Sequence, residues 1–175
     1  YGLQDCYADL RNNVKELYDI EIETLAAIGV SAMMHGYMAF NEKEEILVPF
    51  RTWRNTNTGQ AAAALSELFV YNIPLRWSIS HLYQAILNNE EHVNQINFLT
   101  TLAGYIHWQI TGNRVLGVGD ASGMIPVDPE TKTYSAEMVE KFDNLIAPKG
   151  FDWKLLDILP QVLVAGENAG FLTPE

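Results

Sequence analysis

The sequence has few cysteines, few basic residues and no long apolar runs. Its single cysteine, Cys6, rules out an intrachain disulfide and fits a reducing compartment, so we expect a cytoplasmic protein. Eleven Lys and Arg against 22 Asp and Glu give a net charge of −11. Nucleic acids and anionic membranes are bound by clustered positive charge, so neither is an expected partner. No apolar run approaches the roughly 20 residues of a membrane span.

Common signatures of nucleotide and metal sites are also missing. No Gly-Lys-Ser/Thr occurs, so there is no Walker A loop. The glycines of Gly117–Gly123 are spaced one residue too far apart for a dinucleotide fingerprint, and the following residues are not helical in pattern. The four histidines form no metal signature, so no metal site is expected.

Hydrophobic periodicity predicts an α/β chain. Leu25–Met34 is a continuous run of apolar and small residues, which predicts a strand buried on both faces of a central sheet. Tyr37–Phe40 and Ile46–Val48 flank a polar stretch and predict a hairpin. Asn97–Leu99 is a further candidate strand. Helical spacing is found in residues 5–18, Gly59–Phe69, Ser78–Val93, Thr101–Thr111, Ser135–Leu145 and 152–159.

Two polar stretches could recognise a ligand. His35 follows the predicted buried strand, and ligands of open α/β sheets bind beyond the carboxyl ends of strands. Its two ring nitrogens could bond a polyhydroxylated ligand, and the alternative is a histidine satisfied within its own loop. Trp53, Arg54 and Asn55 combine a flat face with forked donors and acceptors, which suits sugar hydroxyls. The same stretch could instead begin a helix, with Asn57 or Thr58 as its cap.

Five short segments, taken in order, resemble the FGGY carbohydrate kinases, especially their xylulokinase-like members. The first two are Ser31–Gly36, which is similar to the family's Gly-x-Met-His-Gly turn, and Trp53–Asn55, which is similar to its Trp-x-Asp. The other three are Phe98–Gly112 with its Ile-Thr-Gly end, Asp120–Gly123 and Leu159–Thr173. Together they span residues 31–173, and their order carries the resemblance more than any single match.

The chain also departs from this family's pattern. Asn55 and Asn57 stand where many members have an acid and an arginine, and His81 begins the segment where many have Lys-x-x-Trp. These changes alter the charge near the expected sugar site, so the particular sugar is not specified. The family's phosphate hairpin has no match, and its catalytic aspartate is expected beyond residue 175. No catalytic residue is therefore predicted within this chain.

The resemblance implies an incomplete ribonuclease H-like (actin-like) α/β domain with an irregular, mostly helical insertion. We expect residues 1–175 to be part of the sugar-binding lobe of a longer protein whose ATP-binding domain lies elsewhere. The implied substrate-binding residues are Met34, His35, Trp53, Arg54, Asn55 and His81. ATP and Mg²⁺ would serve the parent enzyme, with none bound to this segment. Exposed strand edges would favour self-association into a homo-oligomer.

Two other interpretations remain compatible with the residues. The chain could be a non-catalytic carbohydrate-binding or regulatory module that keeps a kinase-like fold, or an unrelated α/β domain whose matches are chance. An open reading frame near the family's length, with the phosphate hairpin and a late aspartate, would distinguish the kinase from the module.

Overall fold

The computed structural model describes residues 2–174 and divides the chain into two units, residues 1–30 and 31–175. The first unit carries helix α1, Gly2–Tyr18, as the amphipathic spacing predicts. The helix ends at Tyr18, and the next residue, Asp19, has a left-handed φ of 53°. Lys15 lies 3.3 Å from Asp19 and 3.2 Å from Glu21, so its positive charge sits at the negative end of the helix dipole.

The prediction of a buried strand at Leu25–Met34 is wrong. Residues 19–34 have no regular secondary structure, and the side chains of Leu25 and Ile28 are 44% and 50% exposed. A strand is stabilised by hydrogen bonds to a neighbouring strand. Every strand among the described residues pairs elsewhere, so the apolar run has no partner within residues 2–174.

The second unit contains two small sheets. Strand β1, Met38–Phe40, pairs antiparallel with β2, Phe98–Thr100. Strand β3, Val115–Gly117, pairs in parallel with β4, Gln161–Leu163. The two predicted strand segments near residues 38 and 98 are thus confirmed, and they pair with each other.

The predicted hairpin after β1 is present as a tight turn, but its second arm, Ile46–Val48, forms a single bridge rather than a strand. Phe40 bridges Ile46, and the Leu47 amide donates to the Ala39 carbonyl at 2.9 Å. The side-chain oxygen of Asn41 accepts from the Lys43 and Glu45 amides, each at 2.9 Å. An asparagine that bonds the backbone beyond it stabilises such a turn.

The helices of the second unit mostly begin and end where local signals predict. They are α2 (Gly59–Phe69), α3 (Ser78–Leu87), α4 (Leu102–Thr111), α5 (Val118–Ala121) and α6 (Ala136–Ile146). Short 3₁₀ turns are Glu91–Gln95, Ala147–Lys149 and Leu155–Ile158. The predicted Ser78–Val93 helix is therefore divided in two, because Asn89 adopts a φ of 53° that ends the first part.

Caps explain the remaining boundaries. The Thr101 hydroxyl accepts from the Gly104 amide at 3.2 Å, and Gly112 ends α4 with a φ of 74°. The Ser135 hydroxyl accepts from the Met138 amide at the start of α6. Thr58 precedes α2, but its hydroxyl donates to the Leu75 carbonyl at 2.5 Å and makes no cap bond.

A cluster of aromatic residues joins the first sheet to α4. Phe40 and Phe98 both pack edge-on against Trp108, with ring centroids 5.3 Å apart in each pair. The guanidinium carbon of Arg114 lies 4.7 Å from the rings of both Phe98 and Trp108. This packing fixes β1, and the segment just before β1 carries the candidate site.

Candidate functional site

His35 lies in a turn that the surrounding backbone holds in a left-handed conformation. The φ angles of His35 and Gly36 are 66° and 89°. The Gly36 amide donates to the Arg76 carbonyl at 3.2 Å, and the Ser78 hydroxyl donates to the Gly36 carbonyl at 2.6 Å. A Cβ atom at Gly36 would lie 2.6 Å from the Arg51 carbonyl oxygen, so only glycine fits there.

One hydrogen bond fixes the orientation of the His35 ring. Its Nδ1 lies 3.1 Å from the Gly123 carbonyl oxygen, which can only accept, so Nδ1 carries the proton. In the neutral ring, Nε2 is then left as an acceptor. The ring also lies nearly parallel to Trp77, with 6.5 Å between centroids and 19° between planes. Met34 lies beside the same glycine: its Cε is 3.1 Å from where a Gly123 Cβ would stand.

Asp120 brings a partly buried carboxyl group to this side of the turn. Its Oδ2 accepts from the Thr101 hydroxyl at 2.6 Å, while Oδ1 is buried and has no partner among the described residues. Burial raises the pKa of Asp120, although the Thr101 hydrogen bond and the charge of His35 act to lower it. Asp120 is therefore close enough to His35 for their charges to interact.

Trp53, Arg54 and Asn55 lie in a surface turn between Arg51 and α2. Trp53 is 45% exposed, and the Arg54 guanidinium carbon lies 5.3 Å from its ring centroid. The side-chain oxygen of Asn55 accepts from the Asn57 amide at 3.1 Å. The turn thus presents an aromatic face and a guanidinium to solvent, while part of the Asn55 side chain is used to shape the turn.

A backbone bridge ties this turn to the His35 segment. Tyr37 and Arg51 exchange both of their backbone hydrogen bonds, at 2.8 and 3.2 Å. His35 lies two residues before this isolated bridge and Trp53 two residues after it, so the bridge links the two segments at Tyr37 and Arg51.

His81 lies in the protein interior rather than on the surface that carries Trp53. It is 1% exposed and sits on α3, with its ring centroid 6.3 Å from that of Tyr37. Neither ring nitrogen has a hydrogen-bond partner among residues 2–174. Burial and, to a lesser degree, the charge of Arg51 lower the pKa of His81 to about 4. His81 is therefore neutral at pH 7.

Sequence reasoning did not select three residues that the structure places around His35. These are Trp77, Asp120 and Gly123. The Asp120–Gly123 segment was a signal for two of them, since it stood out as a family-like motif. Trp77 directly precedes α3, and nothing in its local pattern marked it.

The sequence matches the FGGY family of carbohydrate kinases, N-terminal domain, over residues 2–175. The chain belongs to the FGGY family of carbohydrate kinases. Solved structures with a similar fold include a xyloylose kinase from Brucella ovis, with a TM-score of 0.74 and 20% identity over 93% of this FGGY chain. A gluconate kinase from Lactobacillus acidophilus gives 0.71 and 16% over 96%. The Plasmodium falciparum glycerol kinase with ADP gives 0.73 and 16% over 99%.

These similarities confirm the predicted α/β, ribonuclease H-like fold class of the FGGY chain. The chain covers 34%, 34% and 36% of the three solved chains, so it spans about a third of their length. Among residues 2–174, no helix is both long and apolar enough to cross a membrane.

The described part of the FGGY chain offers no set of donors that would hold a magnesium ion. Within residues 2–174, no three His, Cys, Asp or Glu side chains come together as a metal site would require. The partly buried carboxyl group of Asp120 is influenced by the charge of His35, and one of its oxygens is already bonded to Thr101. No step of phosphoryl transfer is assigned to these residues.

Proposed function

We propose that this chain is the sugar-recognition segment of an ATP-dependent carbohydrate kinase that phosphorylates a sugar hydroxyl. Residues 1–175 form part of the N-terminal sugar-binding lobe, and ATP and Mg²⁺ bind elsewhere in the parent protein. The family match supports the kinase class, and the fold similarity supports the lobe. Alone, the chain binds sugar without transferring phosphate.

The His35–Gly123 hydrogen bond carries this proposal. It fixes Nδ1 as a hydrogen-bond donor and leaves Nε2 to accept a hydrogen bond from a sugar hydroxyl. Asp120 and the Trp53 turn add a carboxyl group, an exposed ring and the Arg54 guanidinium. Carbohydrate recognition needs such a combination, since a sugar presents hydroxyls at its edges and C–H groups on its faces.

The remaining predicted contacts follow from this arrangement. Met34 lies beside Gly123 and supplies an apolar contact, and Asn55 offers its amide group from the Trp53 turn. Because His81 is buried, it does not contact the sugar directly and influences the site only through its packing near Tyr37. The resemblance proposed His81 as a direct ligand; a sugar could reach it only if the interior opened.

Sugar binding by the chain tests the proposal directly. A panel of ketoses, polyols and sugar acids is titrated into the protein while amide resonances are followed by NMR. We expect at least one sugar to shift the resonances of His35 and Trp53, and His35→Ala to weaken its binding by about 5- to 100-fold, since a lost buried hydrogen bond costs about 1–3 kcal/mol. Absence of shifts across the panel would contradict the proposal.

His107→Ala is the matched control. His107 also bonds a backbone carbonyl, that of Ala169 at 3.0 Å, but it lies on α4 away from the turn. We expect this variant to bind sugar as the unmodified chain does. Equal losses in both variants would show general destabilisation rather than loss of a sugar contact.

Kinase activity of the isolated chain is tested separately, with sugar, ATP and Mg²⁺ present. We expect no phosphorylated product, because no metal-binding cluster is formed by residues 2–174. We also propose that the chain forms a homo-oligomer through exposed apolar side chains such as Leu10, Leu17 and Ile20. Light scattering that reports only the 19.7 kDa monomer would contradict this second expectation.

A further inference from the structure

Four side chains form a closed network behind the candidate sugar site. The Tyr37 hydroxyl lies 2.8 Å from Nε2 of His92, and Nδ1 of His92 lies 3.5 Å from Oε2 of Glu90. The Arg51 guanidinium donates to both carboxylate oxygens of Glu90, with Nη1 3.2 Å from Oε1. The backbone bridge between Tyr37 and Arg51 closes the loop. We call the closed network of these four residues, Tyr37, Arg51, Glu90 and His92, the Tyr37 ring; the aromatic side chain of Tyr37 itself is called its phenol.

The protonation states within the Tyr37 ring are set by burial and charge. Burial lowers the pKa of His92, opposed by Glu90 and assisted by Arg51. Burial alone would raise the pKa of Glu90, but the hydrogen bonds and charge of Arg51 outweigh it, and the net pKa is lowered. Burial raises the pKa of Tyr37. At pH 7 the ring therefore consists of one ion pair, a neutral imidazole and a neutral phenol.

This protonation state specifies the direction of each bond. Nδ1–H of His92 faces the Glu90 carboxylate, so Nε2 accepts from the Tyr37 hydroxyl. Each group then meets a complementary neighbour. A network in which every member is paired holds its geometry far better than one with a member unpaired.

The Tyr37 ring contains one residue close in sequence to each of the two candidate sugar-binding segments. Tyr37 follows His35 by two residues, and Arg51 precedes Trp53 by two residues. We propose that the Tyr37 ring is a positioning device that sets the spacing between His35 and the Trp53 turn, and thereby the affinity for sugar. This rests on the proposed function insofar as His35 and Trp53 bind the sugar.

Several charged or titratable groups face His92. Tyr37 and Glu90 contact it, and Arg51 acts on it through its charge. His81, on α3, lies with its ring centroid 6.3 Å from that of the Tyr37 phenol. Lys149 and Glu90 line the same cavity, of about 180 Å³. A proton on His92 would turn Nε2 into a donor and draw Glu90 away from Arg51. Because the pKa of His92 is held below its usual 6.5, sugar affinity should fall as the pH is lowered below about 6.5.

The test compares Tyr37→Phe, which removes one hydroxyl, with Tyr83→Phe. Tyr83 packs edge-on against Phe142 and belongs to neither the Tyr37 ring nor the sugar site. We expect Tyr37→Phe to shift the amide resonances of His35 and Trp53 and to raise the dissociation constant of the best-binding sugar by about 5- to 30-fold. Tyr83→Phe should change neither.

A second pair of variants provides rescue and a pH signature. His92→Gln keeps an acceptor for Tyr37 and has no titrating group, whereas His92→Ala removes the acceptor. We expect His92→Gln to recover most of the affinity that His92→Ala loses, and to lessen the loss of affinity below about pH 6.5. A Tyr37→Phe variant with unchanged His35 and Trp53 resonances would overturn the proposal, even if it melts at a lower temperature.

Failure of the two proposals is distinguishable. If no sugar binds the unmodified chain, the proposed function fails, while the resonances of His35 and Trp53 in sugar-free Tyr37→Phe still decide whether the ring positions them. If sugar binds and all ring variants bind it equally, only the positioning role is overturned.

Discussion

Gly123 lies so close to His35 that no side chain fits between them. A Cβ atom at Gly123 would stand 2.7 Å from Cε1 of the His35 ring, closer than carbon atoms approach without a shift. The same glycine supplies the carbonyl that orients the ring. The backbone of one segment and the side chain of another are thus matched in shape as well as in hydrogen bonding.

Gly123→Ala should displace the His35 ring. We expect it to weaken sugar binding and to lower the free energy of unfolding by about 1–3 kcal/mol, because overpacking forces neighbours to move. Gly119→Ala is the control, since a Cβ at Gly119 meets no atom within 4 Å. Denaturant titration of both variants measures the difference; equal stability of the two would show that the His35 ring moves aside freely.

Tyr134→Phe should leave stability unchanged or raise it by up to about 1 kcal/mol. The Tyr134 ring is buried, and its hydroxyl has no hydrogen-bond partner among residues 2–174. Removing an unpaired buried hydroxyl loses no bond and relieves a desolvation cost. Tyr37→Phe, which breaks the bond to His92, should instead cost about 1 kcal/mol in the same thermal unfolding experiment.

His81 should make the protein sensitive to acid. Its pKa in the folded state, about 4, is below that of an unfolded histidine, so the unfolded chain takes up a proton first as the pH falls. Stability is therefore undiminished above about pH 6.5 and falls between pH 6.5 and 4, by on the order of 3 kcal/mol.

The variant His81→Leu isolates this effect. We expect it to be at least as stable as the unmodified chain at pH 7, because the buried ring nitrogens have no partners, and to lose less stability between pH 6.5 and 4. His107→Leu serves as the comparison on a half-buried histidine. A pH profile for His81→Leu that parallels that of the unmodified chain would contradict the assignment of the acid sensitivity to His81.

Arg114→Lys should destabilise the aromatic cluster. The flat guanidinium lies over two rings at once and also donates to Glu44 at 3.0 Å and to Asn97 at 3.2 Å. The ammonium group of lysine cannot stack flat on both rings while donating to two acceptors. We therefore expect a loss of about 1 kcal/mol in the free energy of unfolding. Arg54→Lys, on an exposed ring, should change stability by less than about 0.5 kcal/mol. Similar losses in both would contradict the role of stacking.

Features encoded by neighbouring residues could be predicted from the sequence. Helix α2 has the predicted bounds, α4 ends at the predicted glycine, and Ser135 caps α6 as expected. The strand at Leu25–Met34 could not be judged in this way, because a strand depends on a partner that the local pattern does not contain. Its apolar composition indicated burial, and the described residues provide no sheet beside it.

In the candidate site, too, the sequence indicates single residues but not the distant partners that they contact. The sugar-binding role of His35 stays a prediction; the structure adds its hydrogen-bond partner Gly123, which is 88 residues away and which no periodicity connects to His35. His81 was selected through a family-like position, whereas the face of α3 on which it lies points inward. The Tyr37 ring joins residues up to 55 positions apart, which only the folded chain reveals.

The distance along the chain between His35 and Gly123 also bears on the order of folding. Contacts between residues far apart in sequence form slowly, because the loop between them must first lose its conformational freedom. Helices α2 and α4 need only local contacts and lie inside that 88-residue loop. The binding surface is therefore expected to be completed late in folding, after the helices it encloses, and stalled intermediates would contain much of the native helix content yet bind no ligand.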